Sequence, residues 1–512
     1  MANPLLFVVI GAWVAYILYT RISLYIARRR LILKNGCQPC FYTANKDPIF
    51  GLDILRINMR AAKSRTTLAT NHGRFLGMKT HTFRSRVMNI PLIATCEPEN
   101  IKTALSLKFK DYSLGLRKKT FGPLLGDGIF NADGERWANS RHLLRPNFAR
   151  EQVADLEAFE RHFQLFLQHV PTDGSPVDLQ DLFFKLTIDT ATEFLFNHST
   201  NILKRSGPEN DANNEDAAFS KAFTFAQADI LTRMRLGFLD PLRKNQEGKD
   251  AIKICQAYVD RWVDEAVAWR EEQQRKEKAG EAQKEEERYV FIHELAKQTN
   301  DKARIRHELM NVLLAGRDTT ASLLSNMFFE IAKRPDIYAK LREEVASLDG
   351  RPPSYEELKN MKFVKWCINE SLRLHPVVPG NTRLAIRDTI LPRGGGPSGA
   401  SPLFVPAGTL LGYSPWALHR REDFYGPTAH LFDPFRWESL RPGWEYLPFN
   451  GGPRICLGQQ YALTEAGYVT ARLVQSFEAM ESRDVNGGVW VEGLTLTCCS
   501  GNGTRVSLTL AS

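Results

Sequence analysis

The sequence predicts a mainly α-helical protein with a small β portion, preceded by one N-terminal transmembrane helix. Three observations predict it: an uncharged apolar run at the N-terminus, apolar residues at three- and four-residue spacing through most of the chain, and short β-like runs confined to two later stretches. The 512 residues are 43% apolar and 10% aromatic, enough to bury a substantial core. No fixed-period repeat is present, which excludes a solenoid or propeller.

Leu5 to Thr20 carries no charge, and Ile22 to Ala27 continues the apolar run after Arg21. As a helix, Leu5 to Ala27 would be about 35 Å long at roughly 1.5 Å per residue, enough to cross a hydrocarbon core. Arg28, Arg29 and Arg30 follow the apolar run, and no small-residue cleavage site follows them. This is the pattern of an uncleaved anchor, and the positive-inside rule puts the rest of the chain in the cytosol. The expected organisation is an anchor over residues 4–27, a basic linker over 28–45 and one catalytic domain over 46–512.

The net charge of +9 is spread along the chain without a zinc-finger or RNA-binding signature, so nucleic acid is not an expected partner. Eight cysteines form no regular framework, as in a reduced, cytosol-facing body. Cys37-Gln-Pro-Cys40 lacks the second pair that would complete the about four ligands of a structural zinc site.

Within the body, Glu151 to Val170 and Leu179 to Phe196 have amphipathic helical spacing. Ala268 to Glu287 reads as a charged helix end and loop. Asp301 to Arg334 is expected to be the longest helix, with Pro335 opening the next. Thr382 to Leu411 turns β-like around Gly394-Gly395-Gly396. That triplet reads as a hairpin or loop, because no Gly-Lys-Ser/Thr opens a helix after it. Gly487 to Leu510 reads as strand and turn.

The decisive stretch is Phe449-Asn-Gly-Gly452-Pro-Arg454-Ile-Cys456-Leu-Gly458, followed by a helical run from Gln459 to Leu473. Average residue usage gives the pattern Phe-x-x-Gly-x-Arg-x-Cys-x-Gly a chance on the order of one in ten thousand in a chain of this size. A cysteine ahead of a helix feels unpaired N–H groups that favour its thiolate. Glycines allow close backbone approach to a flat cofactor, and an arginine can neutralise a carboxylate. Thiolate ligation pushes electron density onto a haem iron and favours O–O cleavage.

These residues resemble the cytochrome P-450 superfamily of haem-thiolate monooxygenases, and the resemblance extends over almost the whole chain. It implies the fold of that family, a haem b (iron protoporphyrin IX) cofactor, and Cys456 as the metal-binding residue. Phe449 would lie beside the thiolate, and Arg454, Trp137, Arg141 and Arg383 would meet the haem propionates. In Ala315-Gly316-Arg-Asp318-Thr319-Thr320 the resemblance makes Asp318 and Thr319 the catalytic pair that delivers protons to dioxygen, on a helix expected to bend there. Glu370 and Arg373, with Arg436 from Pro434-Phe435-Arg436-Trp437, are expected to build a structural network; the family more often ends that last segment in Phe.

A closer resemblance is to the fungal n-alkane and fatty-acid hydroxylases. It is carried by the run from Phe184 to Phe196, Leu391-Pro-Arg-Gly-Gly-Gly396, Ala417-Leu-His-Arg-Arg421 and the run from Cys456 to Glu465. Thr382, Trp416 and Cys40 depart from its pattern. The implied reaction is ω-hydroxylation of a lipid chain at the endoplasmic reticulum membrane, by a single-pass protein. Electrons would come from an NADPH-dependent cytochrome P-450 reductase, with cytochrome b5 as an optional second donor. Phe219, Phe223, Phe225, Ile230 and Phe238 are candidates for an apolar access route or for ordinary core. Gly493-Leu494-Thr495 is a further candidate pocket loop. Two competing functions are a tailoring oxygenase of a fungal secondary-metabolite pathway and a haem sensor or electron carrier without oxygenase activity.

Overall fold

In the computed structural model the described residues are all but 1–3, 44–46, 48–49, 88, 149–154, 205–213, 280–288 and 512, together with the side chains of all described residues except 4, 238 and 239. The expected helix start at 151–154 and the end of the charged segment at 280–287 lie outside them. Asp301 caps a central helix, Lys302–Ile331, by accepting the Arg304 N–H at 3.0 Å. This helix is continuous through Gly316. At 30 residues it is not the longest, because Gln246–Ala279 runs for 34. The charged residues from Ala268 onward stay helical to Ala279, with pairs such as Arg275 and Glu272 at 3.6 Å.

The central helix and its neighbour, Leu179–Phe196, lie between two hydrophobic cores. Leu323, Leu324, Met327 and Phe328 enter one core with Leu182, Phe183 and Leu186. Ile305, Leu309, Met310 and Leu313 enter the other with Ile188, Ala191 and Leu195. Several polar groups buried with them are bonded, as burial without partners would be costly. Asp189 accepts from the Thr200 hydroxyl at 2.6 Å and from the Ile202 and Leu203 N–H groups at 2.9 and 3.0 Å. Glu308 accepts the Ile129 N–H at 3.1 Å, and Asn311 bonds the Phe130 N–H and the Leu125 carbonyl, each at 2.9 Å. The central helix thereby holds the 125–130 loop against its flank.

Among the described residues the β portion forms four small sheets. Strands β1 (Thr82–Val87), β2 (Ile90–Thr95), β3 (Tyr112–Ser113), β5 (Asn381–Ala385) and β8 (Leu410–Tyr413) join in the order β1-β2-β8-β5-β3, with β2 and β8 parallel. β4 (Val177–Asp178), β9 (Phe477–Ser482) and β12 (Arg505–Leu510) form a second sheet, and β10 (Glu492–Leu494) pairs with β11 (Cys498–Ser500). β6 (Thr389–Gly395) and β7 (Ser401–Val405) make the hairpin expected at the glycine triplet.

Glu370, on the helix Lys362–Leu374, receives five hydrogen bonds of 2.7 to 3.0 Å: two from Arg373 and one each from Arg436 Nε, the Asp433 N–H and the Trp437 indole. Trp437 therefore contributes a donor that a phenylalanine lacks. Arg373, with no exposed surface, spends its remaining donors on the carbonyls of His419, Ala429 and Leu431.

The first helix, Pro4–Lys34, extends beyond the expected linker start at residue 28. From Leu5 to Lys34 it is long and apolar enough to cross a membrane, and none of its most apolar window is buried in the body.

Candidate active site

Cys456 lies in a loop that enters the helix Gln459–Ser476. Its N–H donates to the Phe449 carbonyl at 3.0 Å, which closes the loop on itself. Asn450 takes the left-handed conformation (φ 63°), and its side chain accepts from the Tyr413 hydroxyl at 3.0 Å. Gly452 is required by its backbone: φ is +69°, and a Cβ there would lie 2.1 Å from the Leu105 carbonyl oxygen. That glycine serves contact with the Leu105 backbone, whereas the sequence pointed to a cofactor. The Cys456 side chain opens onto a cavity. Surrounding protein pushes the thiol up to about 11, against the lowering pull of the Gly458 N–H and Arg141.

The cavity holds about 1720 Å³ of atom-free space, its mouth included. Val312, Ala315, Gly316, Thr319, Thr320 and Leu323 of the central helix line it. Their spacing of three and four residues is one helix face. The Thr319 hydroxyl donates to the Ala315 carbonyl at 2.7 Å.

Asp318 is off that face and is not among the cavity-lining residues. It sits 3.4 Å from Arg317, which in turn donates to the Thr224 hydroxyl at 2.8 Å. Burial raises the Asp318 carboxyl above its ordinary range, and Arg317 opposes the rise. The sequence-expected pair is thus split, with Thr319 on the wall and Asp318 behind it.

Four guanidinium groups line the cavity: Arg117, Arg141, Arg383 and Arg454. Arg454 pairs with Asp133 at 2.7 Å and lies over the Trp137 ring at 4.6 Å. Arg117 and Arg383 both donate to Asn381 Oδ1, at 2.7 and 3.2 Å. Arg141 donates to the Ile455 carbonyl at 3.0 Å, beside Cys456. Asp133 is the one acid that ion-pairs with any of the four among the described residues. Burial lowers Arg117 to about 10, and neighbouring Arg383 adds to the fall. Arg454 also falls to about 10 through burial, with Asp133 opposing and the other arginines adding to it.

The cytochrome P450 family model matches residues 59–487 of this chain. The chain belongs to the cytochrome P450 family. It is 48% identical to cytochrome P450 monooxygenase himC of Aspergillus japonicus, over 93% of this chain and 84% of that protein. It is 45% identical to cytochrome P450 monooxygenase fsdH of Fusarium heterosporum, over 98% and 87%. It is 41% identical to cytochrome P450 52A13 of Debaryomyces hansenii, over 98% and 97%. As a cytochrome P450 monooxygenase the protein uses haem iron and takes electrons from a redox partner.

The residues present fit that cofactor. A haem carries two carboxylates, and the cavity wall holds an excess of buried cations over acids. A macrocycle needs apolar walls and an axial donor, and the cavity supplies both, with Cys456 at the loop. Of the access-route candidates, Phe219, Phe223 and Ile230 are buried in the second core, and Phe225 packs against it; the Phe238 side chain lies outside those described. None of the first four lines the cavity. Gly493, Leu494 and Thr495 do not line it either. Thr382 is exposed on β5, and Trp416 is buried under Arg420, at 3.3 Å from its ring centroid.

Two residues were missed by sequence reasoning. Arg117 stands in Arg117-Lys118-Lys119, which reads as a solvated charge run. Glu465 closes the run from Cys456 to Glu465, and its place there points to no role. It is buried, accepts the Thr190 hydroxyl at 2.6 Å, and is raised by burial to about 7 despite Thr190, Thr320 and His162.

Proposed function

We propose that the protein is a membrane-anchored haem b monooxygenase that hydroxylates the ω-position of a fatty acid or n-alkane. The observation that carries this reading is the apolar cavity lined by both Cys456 and the Thr319 face of the central helix. Cys456 would hold the haem iron through its thiolate, with Phe449 beside it. Arg383, Arg454 and Arg117 would neutralise the propionates, Trp137 would brace Arg454, and Arg141 would favour the thiolate from its place on the Ile455 carbonyl. When bound, the haem supplies activation of O2 for oxygenation of a C–H bond.

Thr319 presents its hydroxyl at the cavity wall, oriented by the Ala315 carbonyl. Asp318, whose carboxyl is raised by burial against the pull of Arg317, stands next to Thr319 as the second member of the proton-delivery pair. Glu370, Arg373 and Arg436 hold the helix Lys362–Leu374 to the chain approaching the Cys456 loop and take no part in the reaction. The apolar Leu5–Lys34 helix supports a single-pass anchor in the endoplasmic reticulum membrane, with an NADPH-dependent cytochrome P-450 reductase as electron donor in the cytosol.

The test is full-length protein reconstituted with that reductase and offered graded fatty acids and n-alkanes, with products identified by mass spectrometry. A terminal alcohol is expected. Failure to oxidise any linear chain, with turnover of a polyketide- or terpene-type intermediate, would replace the substrate reading by the tailoring-oxygenase one.

A further inference from the structure

The anchor helix and the catalytic body are joined by more than the covalent chain. Arg28 donates from Nε and Nη2 to the two carboxylate oxygens of Asp388, at 2.8 and 2.9 Å. Such a two-pronged pair is stronger and more directional than a single contact. Asp388 precedes β6, and its Oδ1 also accepts the Ala407 N–H at 2.8 Å. Its side chain is only 20% exposed, so the pair is less screened than an ordinary surface ion pair. Burial would raise the Asp388 carboxyl, but the bonds from Arg28 and the Ala407 N–H outweigh it and hold the group below its ordinary range.

Past Lys34, the chain turns onto the sheets. The Gln38 N–H donates to the Pro402 carbonyl at 3.0 Å, and the Gly396 N–H to the Pro39 carbonyl at 2.8 Å. Cys40 forms an antiparallel bridge with Gly395, and Tyr42 a parallel bridge with Arg84. The Arg84 N–H donates to the Phe41 carbonyl at 2.7 Å, and the Thr43 N–H to the Arg84 carbonyl at 2.9 Å. Residues 38–43 are therefore a strand-like seam between the β6–β7 hairpin and β1.

The glycine triplet makes room for this seam. A Cβ on Gly395 would lie 2.8 Å from the Gln38 carbonyl oxygen and 2.5 Å from that of Pro402. Gly396 has φ +76°, and its Cβ would meet Gln38 Oε1 at 2.4 Å. Two features that the catalytic reading leaves unused, the Cys37–Cys40 segment and the triplet, thus meet at one place.

We propose that the Arg28–Asp388 pair and the seam of residues 38–43 form a rigid bracket that holds the catalytic body at one tilt on the bilayer surface. This rests on the reading of the first helix as a membrane anchor. A free linker would let the body sample many tilts; one bonded at its start and along its length does not. The bracket also fixes what meets the lipid. Phe41 and Tyr42 of the seam are exposed, and exposed Phe50, Leu52, Ile57 and Met59 follow it, with exposed Arg56 and Arg60 among them. Apolar side chains interleaved with cations suit the headgroup boundary of an anionic bilayer.

The experiment uses the full-length holoenzyme in vesicles of phosphatidylcholine and phosphatidylserine. Flotation first reports whether the chain is anchored; a protein that fails to float overturns the anchoring reading, and the bracket with it. On floated protein, hydrogen exchange reads the Gln38, Thr43 and Gly396 amides, and linear dichroism of oriented bilayers reads the tilt of the haem plane. The wild type should show protected amides and a narrow tilt. Arg28→Ala should lower the protection about tenfold, as expected for loss of a charged hydrogen-bonded pair, and broaden the tilt with the carbon monoxide spectrum unchanged. Wild-type amides exchanging like unstructured chain, or an Arg28→Ala tilt equal to that of the wild type, would overturn the bracket while leaving the anchor in place.

Discussion

Arg373 and Arg436 have surroundings opposite to those of Arg117, Arg383 and Arg454. The first two converge on Glu370, whose carboxylate receives five hydrogen bonds, and Arg373 satisfies its other donors on three carbonyls. The cavity arginines share one asparagine oxygen, one aspartate and the carbonyls of Thr382 and Ala132, with a single acid among the three. Charge balanced within the protein holds the fold together. Charge left over on a cavity wall awaits an anion from outside. Glu465 is a third case, a buried carboxyl that meets hydroxyls instead of a bonded cation.

Glu370→Ala should break the balanced cluster most severely. Two buried guanidinium groups would lose their counter-charge, a loss of about 3–5 kcal/mol. The expected outcome is little or no haem-loaded protein, read from spectra and thermal unfolding of extracted membranes.

Glu465 should give a pH signature. Its folded-state pKa of about 7 lies above the ordinary 4.5, so the folded state binds the extra proton between those values. Stability should therefore fall as pH rises from about 4.5 to 7, by on the order of 3 kcal/mol at most. Glu465→Gln should flatten that fall in denaturant titrations across the window; an unchanged slope would assign the loss to other groups.

Removing a cavity arginine should have the reverse character. Arg117→Ala should leave the apoprotein as stable or more so, because a poorly paired cation is gone, whereas Arg454→Ala also loses the Asp133 pair and the Trp137 contact and should not gain stability. Haem transfer to an acceptor globin should speed up about tenfold for each, the scale of one charged hydrogen bond. The smallest effect is expected from Trp437→Phe, which removes one of the donors to Glu370 and leaves the other four. A cost of about 1 kcal/mol in unfolding, with haem retention unchanged, is the predicted result.

The legible parts of this chain were those in which neighbouring residues act together. The Cys456 loop is contiguous, and one backbone bond from Cys456 to Phe449 sets its shape. The central helix showed in its spacing, which also places Thr319 on its cavity face. Thr319 lines the cavity with Ala315, Gly316 and Thr320, whereas Asp318 lies off that face against Arg317. Helical spacing gave Phe219 and Phe223 two possible fates, and packing against Tyr258, whose ring is 4.0 Å from that of Phe219, decided for core. Arg117 was illegible because its local setting is a charge run; only Asn381, 264 residues later, turns it into a cavity residue. The bracket was hidden for the same reason, since Arg28 and Asp388 are 360 residues apart.

The most direct test of the site is the carbon monoxide spectrum of the reduced holoenzyme, recorded for the wild type and for Cys456→Ala. The wild type should give the band of a thiolate-ligated haem, and the variant should lose it while any bound haem gives a different spectrum. A thiolate-type band that persists in Cys456→Ala would contradict the assignment of Cys456 as the iron ligand.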